Sequence, residues 1–529
     1  MKIDDKVNCC GCGACSLVCP KKCIQMKKDE EGFLYPEVDE QQCVNCGKCE
    51  AVCAIRDASA TREDKEGIFD EPVAIGGWHK DAGIREKSSS GGAFTLFAEG
   101  VINKGGEVFA CALNDKNEAV HMCVNRVEDL DKLRRSKYVQ SVIGDVYAQI
   151  KSRLTGEHVA PVLFVGTPCQ VAGLKSFLGR EYENLYTIDF ICHGVPSPDV
   201  FHAYLESVEQ KENKKIQEFS FRNKDHGWNQ SGLQLGTKIV FADNSTIRKY
   251  PAFKDPYMNG FLGDLYLRPS CYDCKFKTTP NTNSDFTIAD FWGVDNVSKE
   301  LNDGKGTSLI LLNNSHAKQL WDEVKDGFVF EAVDYKRAVQ KNKTIKESAK
   351  MNCRRAKFFA LYDRKGYHAA EKRFLSAWSW VYHKMIGILF AKFQQFIKFG
   401  IVGVLNTVIC LVVYYVLMHM GIHYIPAYIC GFLTSVINAY FWNSRFVFTG
   451  KKEQSAVKAF AKVLMAYGGT FLSSIVMVTF MVEVLKVPEE IAPIIKMVIT
   501  IPVNYLLNKF WAFKEGPLKA GSNTRQEQE

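Results

Sequence analysis

Three absences narrow what this sequence can be. The opening Met1-Lys2-Ile3-Asp4-Asp5-Lys6 holds no apolar core, so no secretory signal is expected. No Gly-x-Gly-x-x-Gly run follows a strand-like stretch, which excludes a Rossmann-type dinucleotide site. Charge is nearly missing from four long stretches of the last third: residues 399–418, 424–442 and 463–482 carry none, and 491–508 carries only Lys496. What is present is otherwise globular: 529 residues, 47% hydrophobic and 24% charged, enough for three or four units. The net charge of +8 is concentrated. Residues 336–373 hold thirteen Lys and Arg against Glu347, Asp363 and Glu371, a local +10 that leaves −2 for the remainder. Such a block suits nucleic acid or an anionic membrane surface.

Nineteen cysteines would suggest disulfides in a small secreted chain, but here they fall at metal-cluster spacings, which points to a reducing compartment. Cys9-x2-Cys12-x2-Cys15-x3-Cys19-Pro20 recurs 34 residues later as Cys43-x2-Cys46-x2-Cys49-x3-Cys53. Two-residue gaps let three thiolates wrap one corner of an iron–sulfur cube, while the fourth cysteine of each run serves the other cube. The pattern matches the bacterial two-cluster ferredoxins. It assigns one 4Fe–4S cluster to Cys9, Cys12, Cys15 and Cys53, and the other to Cys43, Cys46, Cys49 and Cys19. Structural zinc prefers separated ligand pairs and suits these runs less well. Ala54 stands where the first run has Pro20, which should loosen a turn without removing a ligand; Cys10 and Cys23 are surplus, expected as free thiols.

After a charged connector (55–72) the pattern becomes mixed α/β. Strands are expected at 73–78, 107–113, 161–165, 185–191, 219–222, 233–241, 246–249, 286–289 and 308–312, and helices at 93–103, 128–135, 143–154 and 316–325. The apolar runs 161–165 and 185–191 read as buried parallel strands. Cys169 and Cys192 lie just past their carboxyl ends, where parallel sheets bind ligands. Cys271 and Cys274 form a close pair in a loop. The four thiols could hold a third cluster; the spacing alone leaves zinc, or unrelated core cysteines, open.

Seven motifs then occur in order: Ser88-Ser89-Ser90-Gly91-Gly92 opening a helix, Ser136-Lys137-Tyr138-Val139-Gln140-Ser141, Gly166-Thr167-Pro168-Cys169-Gln170, Cys192-His193-Gly194, Phe221-Arg222-Asn223-Lys224, Cys271-Tyr272-Asp273-Cys274 and Ala289-Asp290-Phe291-Trp292-Gly293. As a set they resemble the coenzyme F-420 hydrogenase/dehydrogenase beta-subunit family over residues 73–333. The resemblance implies FAD beside a third 4Fe–4S cluster, held by Cys169, Cys192, Cys271 and Cys274, and hydride exchange with a diffusible partner, a deazaflavin in some members. For the flavin, the backbone and hydroxyls of Ser88, Ser89, Ser90, Gly91 and Gly92 suit a phosphate, with a plain helix cap as the alternative. Lys137 could offset phosphate charge, and Thr167 and Gln170 flank the cluster. His193 is the candidate proton relay, with His226 behind it. Asp290 reads as a loop anchor.

The four uncharged stretches are each about 18–20 residues, enough to cross roughly 30 Å of hydrocarbon as helix. Before them, 374–395 mixes Trp378, Trp380, Tyr382, Phe390 and Phe393 with few charges, as an interfacial helix would. The basic block upstream then faces anionic lipid, not nucleic acid. Lys384, Lys392 and Lys398 precede the first stretch. Arg445, Lys451, Lys452, Lys458 and Lys462 separate the second from the third, and Lys509 and Lys514 follow the fourth. The opposite loops hold only Lys486 with Glu483, Glu489 and Glu490, so the positive-inside rule puts both termini in the cytoplasm of a multi-pass cell-membrane protein. This half also repeats: Phe396-x-Lys398 recurs as Phe460-x-Lys462, and Asn443-x4-Phe448 as Asn508-x4-Phe513. It resembles the GtrA-like family over 396–513, which implies four spans and traffic of polyprenyl-phosphate-linked sugars for surface polysaccharide. Asn406, Asn438, Asn504 and Lys496 are its costly polar residues, Lys496 reading mainly as a snorkelling side chain.

The expected fold class is multidomain. A small α+β two-cluster ferredoxin domain (1–55) precedes an α/β mixed-sheet flavin/iron–sulfur domain (73–335). A basic and interfacial linker (336–395), a four-helix transmembrane domain (396–515) and a disordered tail (516–529) follow. The expected function is a membrane-tethered oxidoreductase. It would take electrons from ferredoxin or another low-potential donor and pass them through flavin to an organic substrate of polysaccharide synthesis. Two readings stand beside it: a lipid-linked sugar translocator with a redox sensing or docking module, and simple ferredoxin–deazaflavin electron transfer.

Overall fold

A computed structural model describes residues 6–57, 67–156, 160–228, 235–277, 284–447, 456–487 and 492–513. Its contacts divide the chain into two units, Met1–Trp380 and Val381–Glu529. The tail expected at 516–529 lies outside the described residues.

The amino-terminal cysteine repeat is kept in the backbone. In each copy a glycine in the left-handed region, Gly13 (φ 78°) or Gly47 (φ 71°), starts a short helix, Ala14–Val18 or Lys48–Ala51. Between them β1 (Ile24–Lys28) and β2 (Leu34–Val38) form an antiparallel hairpin, Ile24 opposite Val38. Ala54, freed from the proline of the first copy, opens the one-turn helix Ala54–Asp57 and is buried.

The main sheet has eight strands: β3 (Ile68–His79), β4 (Glu107–Leu113), β5 (Ala119–Val124), β6 (Val162–Val165), β7 (Leu185–Phe190), β11 (Phe286–Asp290), β12 (Ser308–Asn314) and β13 (Phe328–Val333). Their order is β13-β3-β12-β11-β7-β6-β4-β5. The centre, β11-β7-β6-β4, is parallel, and the flanks are antiparallel. β6 is buried throughout, as its unbroken apolar run requires. A second, antiparallel sheet contains β8 (Ile216–Asn223), β9 (Gly236–Phe241) and β10 (Thr246–Lys249). Its Phe219, Phe221, Ile239 and Phe241 share a core with the helix Pro198–Glu212, which Ser197 caps and Pro198 starts.

The segment expected as a linker adds to that core. Helix Arg355–Ala370 and the π-turn Glu371–Leu375 bury Phe358, Phe359, Tyr367, Phe374 and Leu375. Arg355 forms an ion pair with Glu31 of the cysteine-rich module, one contact at 2.7 Å. Arg355 is buried with the aromatic residues, whereas Lys357, Arg364 and Lys365 of the same helix are exposed.

The second unit has helices Ala377–His419 (which begins in the first), Tyr424–Trp442, Ala456–Thr479 and Ala492–Leu507. Among the described residues one segment, Phe396–His419 with mean hydropathy 2.4, is long and apolar enough to cross a membrane. The internal repeat closes reciprocally. Phe396 packs edge-on to Tyr505 (5.3 Å, 87°), and Phe460, its equivalent, packs edge-on to Tyr440 (5.4 Å, 85°). The polar residues also pair within each copy: Asn438 donates to Asn406 at 2.7 Å, and Thr470 donates to Asn504 at 3.0 Å. Partly buried among apolar helices, such groups are held by bonding one another. The side chain of Lys496 lies outside the described residues.

Candidate functional site

β6 and β7 are adjacent and parallel, so their carboxyl ends lie side by side. Cys169 follows β6, in the first turn of helix Pro168–Leu178, and Cys192 follows β7. Cys271 lies in the 3-10 turn Pro269–Asp273, and Cys274 ends it. All four thiols line one cavity. Gly194 (φ +145°) makes the approach possible: a Cβ there would stand 2.9 Å from Leu267 and 3.2 Å from the Cys271 Cβ. The Val195 N–H points at Cys271 Sγ (3.4 Å), and Cys274 N–H donates to Ser348 (3.0 Å). Burial pushes the Cys192, Cys271 and Cys274 thiols up, Cys271 to about 12. Cys169 is raised first by its contact with Cys10 and then by burial. A metal group held there displaces those protons.

Cys19, Cys43, Cys46 and Cys49 line a second cavity together with Cys23, whose Sγ is 3.4 Å from that of Cys19. In the remaining set, Cys9 and Cys53 lie close enough to raise Cys15, which burial chiefly pushes up to about 12. Among the described residues no three His, Cys, Asp or Glu side chains close on a single metal ion. All-thiol rings around a cavity fit iron–sulfur clusters in their donor chemistry.

The two modules touch where Gly173 faces Cys12: a Cβ on Gly173 would stand 2.7 Å from Cys12 Cβ and 2.9 Å from its Sγ. Gly173→Ala should therefore cost about 1–3 kcal/mol, as overpacking does. Thermal unfolding checks this, and an unchanged melting temperature would show that the two surfaces are not pressed together.

The remaining motif residues are tied together by separate hydrogen bonds between neighbouring motifs. Thr167 and Gln170 make a capping box for helix Pro168–Leu178, with Thr167 N–H donating to Gln170 Oε1 at 3.0 Å. Thr167 Oγ1 also stands 3.1 Å from Cys169 Sγ. Gln170 Nε2 donates to Ser141 (2.9 Å), and Ser136 N–H donates to Ser89 Oγ (2.9 Å). Lys224 Nζ donates to the carbonyls of Ser90 (3.0 Å) and Arg85 (2.6 Å). Arg222 pairs with Asp290 (2.5 and 3.1 Å), beneath the stacked rings of Trp228 and Trp292 (5.1 Å, 5°). Motifs more than 100 residues apart thus adjoin.

Among these residues the hydroxyls are already engaged. Ser88 donates to Ile84 O and Ser90 to Thr307 O, both at 2.7 Å. Gly91 lies where a Cβ would be 2.4 Å from Gly77 O, and Gly92 (φ +94°) caps helix Ala93–Ile102. Lys137 Nζ donates to the carbonyls of Leu133 (2.8 Å) and Arg134 (2.6 Å), and burial brings its pKa down to about 8. His193 Nε2 meets Asp264 Oδ1 at 2.6 Å, beside the cavity. His226 rests edge-on to Tyr250 (4.3 Å).

Two titratable groups had no role in the sequence reading. Lys224 is brought down to about 7, first by burial and then by Arg85 and Arg222. Asp189, a lone carboxylate in the apolar run of β7, is pushed up to about 7 by burial; its Oδ1 has no partner among the described residues. The folded state therefore holds the Asp189 proton up to about pH 7, whereas an unfolded Asp releases it near pH 3.9. Stability should fall as pH rises through this window and level off above it. Asp189→Asn should flatten that slope in pH-dependent thermal melts; an unaltered slope would assign it to other groups.

Comparison with known proteins follows the same divisions. The 4Fe-4S dicluster domain family matches residues 8–56. Residues 159–338 match the C terminus of the coenzyme F420 hydrogenase/dehydrogenase beta subunit, and residues 398–513 match the GtrA/DPMS transmembrane domain. The chain is similar to all three over those residues. These matches fall on the cysteine-rich module, the sheet domain and the apolar helices in turn. The uncharacterized membrane protein YngA of Bacillus subtilis (strain 168) is 35% identical over 79 residues, which is 14% of this chain and 53% of that protein. The chain thus spans about half the length of this curated relative. The F420-reducing [NiFe] hydrogenase complex of Methanosarcina barkeri aligns at a TM-score of 0.34 and 14% identity, covering 58% of this chain and 93% of that one.

Proposed function

We propose that the protein is a multi-pass, membrane-tethered flavin- and iron–sulfur-dependent oxidoreductase with its redox modules in the cytoplasm. It takes electrons from a low-potential donor of ferredoxin type and delivers them to an organic substrate. The observation that carries this reading is the convergence of Cys169, Cys192, Cys271 and Cys274 on one cavity beside a docked cysteine-rich module. In this reading Cys9, Cys12, Cys15 and Cys53 hold one 4Fe–4S cluster, Cys43, Cys46, Cys49 and Cys19 a second, and the converging four a third. Iron–sulfur clusters carry single electrons, and a flavin, when bound, joins single-electron to two-electron chemistry. The motif residues Gln170, Ser89, Lys224 and Asp290, each hydrogen-bonded to a neighbouring motif, supply its candidate surface. Lys224 and His193 are the groups placed to hold or move a proton there. FAD fits the reading as resident flavin, with a deazaflavin as a possible diffusible partner.

The fused GtrA-type unit, with four spans, points to a polyprenyl-phosphate-linked sugar of surface polysaccharide synthesis as the substrate class. Anaerobic purification in detergent, with iron, acid-labile sulfide and flavin counted per chain, tests the redox reading. About twelve irons and one flavin are expected; about eight irons and no flavin would sink it. Reoxidation of reduced flavin by added polyprenyl-phosphate sugar tests the substrate class.

A second reading, lipid-linked sugar translocation with a redox module attached, draws on Asn443 and Asn508. These equivalent residues of the two repeats are fully buried, and the Oδ1 atom of each has no partner among the described residues. Lipid movement that persists in a cluster-free variant would favour it.

A further inference from the structure

Among the described residues of the first unit five arginines are buried: Arg85, Arg134, Arg222, Arg268 and Arg355. Four of them have a carboxylate partner, respectively Asp303, Asp131, Asp290 and Glu31. Arg268 is the exception and also the most buried, at 0% exposure. Among the described residues no carboxylate lies within ion-pair distance of it. A guanidinium stays charged, and burying one without a counter-charge is strongly unfavourable.

Its donors go elsewhere. Nε donates to Cys9 O at 2.7 Å, Nη2 donates to Leu34 O at 3.0 Å and lies 3.7 Å from Cys9 Sγ, and Nη1 donates to Gln140 at 3.1 Å. The Tyr35 ring lies 4.1 Å from the guanidinium carbon. On its other side Arg268 lines the cavity of Cys169, Cys192, Cys271 and Cys274, and its carbonyl accepts the Cys271 N–H at 2.9 Å. Sulfur therefore meets the guanidinium at Cys9, and four more thiols ring the cavity that Arg268 lines.

We propose that Arg268 is the shared counter-charge of two adjoining thiolate sets, the Cys9 set of the ferredoxin module and the Cys169 set of the sheet domain, and that it raises the reduction potential of the groups they hold. This rests on the reading above that both sets hold iron–sulfur clusters. Each cluster takes up one electron from a low-potential donor and gains one negative charge. A fixed buried cation favours that charge, as net charge and hydrogen bonds to sulfur do generally. Because the residue that contacts Cys9 Sγ also lines the cavity of the second set, it brings both potentials up together and keeps transfer between them level. Arg268 is a positioning residue by electrostatics; it contacts no substrate.

The test is an EPR-monitored redox titration of the full chain in detergent, with dithionite as reductant and iron counted for every sample. The variants are Arg268→Lys, Arg268→Gln and Gln140→Glu, the last placing a carboxylate against the guanidinium while sparing the fold. Arg268→Gln and Gln140→Glu are expected to keep their iron and bind the electron at least tenfold more weakly, a drop of about 59 mV for one electron. Arg268→Lys should stay near the wild type. Potentials unmoved in iron-replete Arg268→Gln and Gln140→Glu would overturn the proposal. Should Arg268→Gln lose iron, Gln140→Glu decides alone. A wild type with only about eight irons would refute the third cluster, and the shift of the ferredoxin signals would then decide the role of Arg268.

Discussion

Replacing Cys271 with serine is expected to remove about four of about twelve irons and leave the ferredoxin signals in place. A serine oxygen is a poor match for the soft iron that thiolate prefers. The turn itself should persist, because its bonds are made by the main chain: Cys271 N–H to Arg268 O at 2.9 Å and Cys274 N–H to Ser348 at 3.0 Å. The variant therefore separates ligand from scaffold. Iron should fall by about a third, with eight of twelve kept, and electron delivery to the organic substrate should stop. Reduction of the amino-terminal clusters by dithionite should survive. Full retention of iron would make the four thiols core cysteines that happen to share a cavity. Loss of all iron would mean that the cysteine-rich module depends on this site for its own assembly.

Asp290→Ala is expected to cost about 3–5 kcal/mol, the effect of stranding a buried charge. Arg222 and Asp290 are both buried or nearly so, and their two contacts are 2.5 and 3.1 Å long. Trp228 Nε1 lies a further 3.4 Å from the same carboxylate. Removing the carboxylate leaves the guanidinium beneath two tryptophan rings with no anion. A fall of roughly 10 °C in melting temperature should follow for a domain of this size. The double variant Arg222→Met with Asp290→Leu should recover much of the loss, because replacing both charges removes the desolvation cost as well. If the double variant is as unstable as the single one, the pair is holding the two sheets in register by shape rather than by charge. Asp290 lies in one motif and Arg222 in another, so this also tests whether the motif series is one assembly.

Much of the fold was legible. Strands at 107–113 and 246–249 agree with β4 and β10 residue for residue, since alternation or continuous apolarity between turn residues is a local signal. The helix over 93–103 is seen as Ala93–Ile102. β5 and β13, at the two ends of the main sheet, passed unnoticed. β13 is apolar at five of its six positions, so its signal was present in the sequence, and it is an edge strand with most of its residues exposed. Helix Arg355–Ala370 was masked by its own basic face. In the site, the capping role of Thr167 and Gln170 was written in their i, i+3 spacing, although the sequence reading assigned them to the cofactor. Arg268 had no such signal. An arginine three residues before a cysteine pair reads as solvated, and only the packing of a segment 259 residues away shows that it is not.

By itself the sequence determined whatever depends on short spacing. Two-residue gaps between cysteines and the 34-residue repeat are covalent facts, and they specify the ferredoxin module wherever it sits. One nearly uncharged stretch, Phe396–His419, reads as a helix long and apolar enough to cross a membrane for the same reason, that backbone polar groups must pair within the segment. Tertiary structure decided the rest: that Cys169 and Cys192 meet Cys271 and Cys274, that Gly173 admits Cys12, and that Arg268 is sealed between two thiolate sets. These contacts join segments that no local rule relates. They form because the parallel order of β6 and β7 brings two loop ends together, and close packing then seals one arginine against Cys9 sulfur with no carboxylate beside it among the described residues.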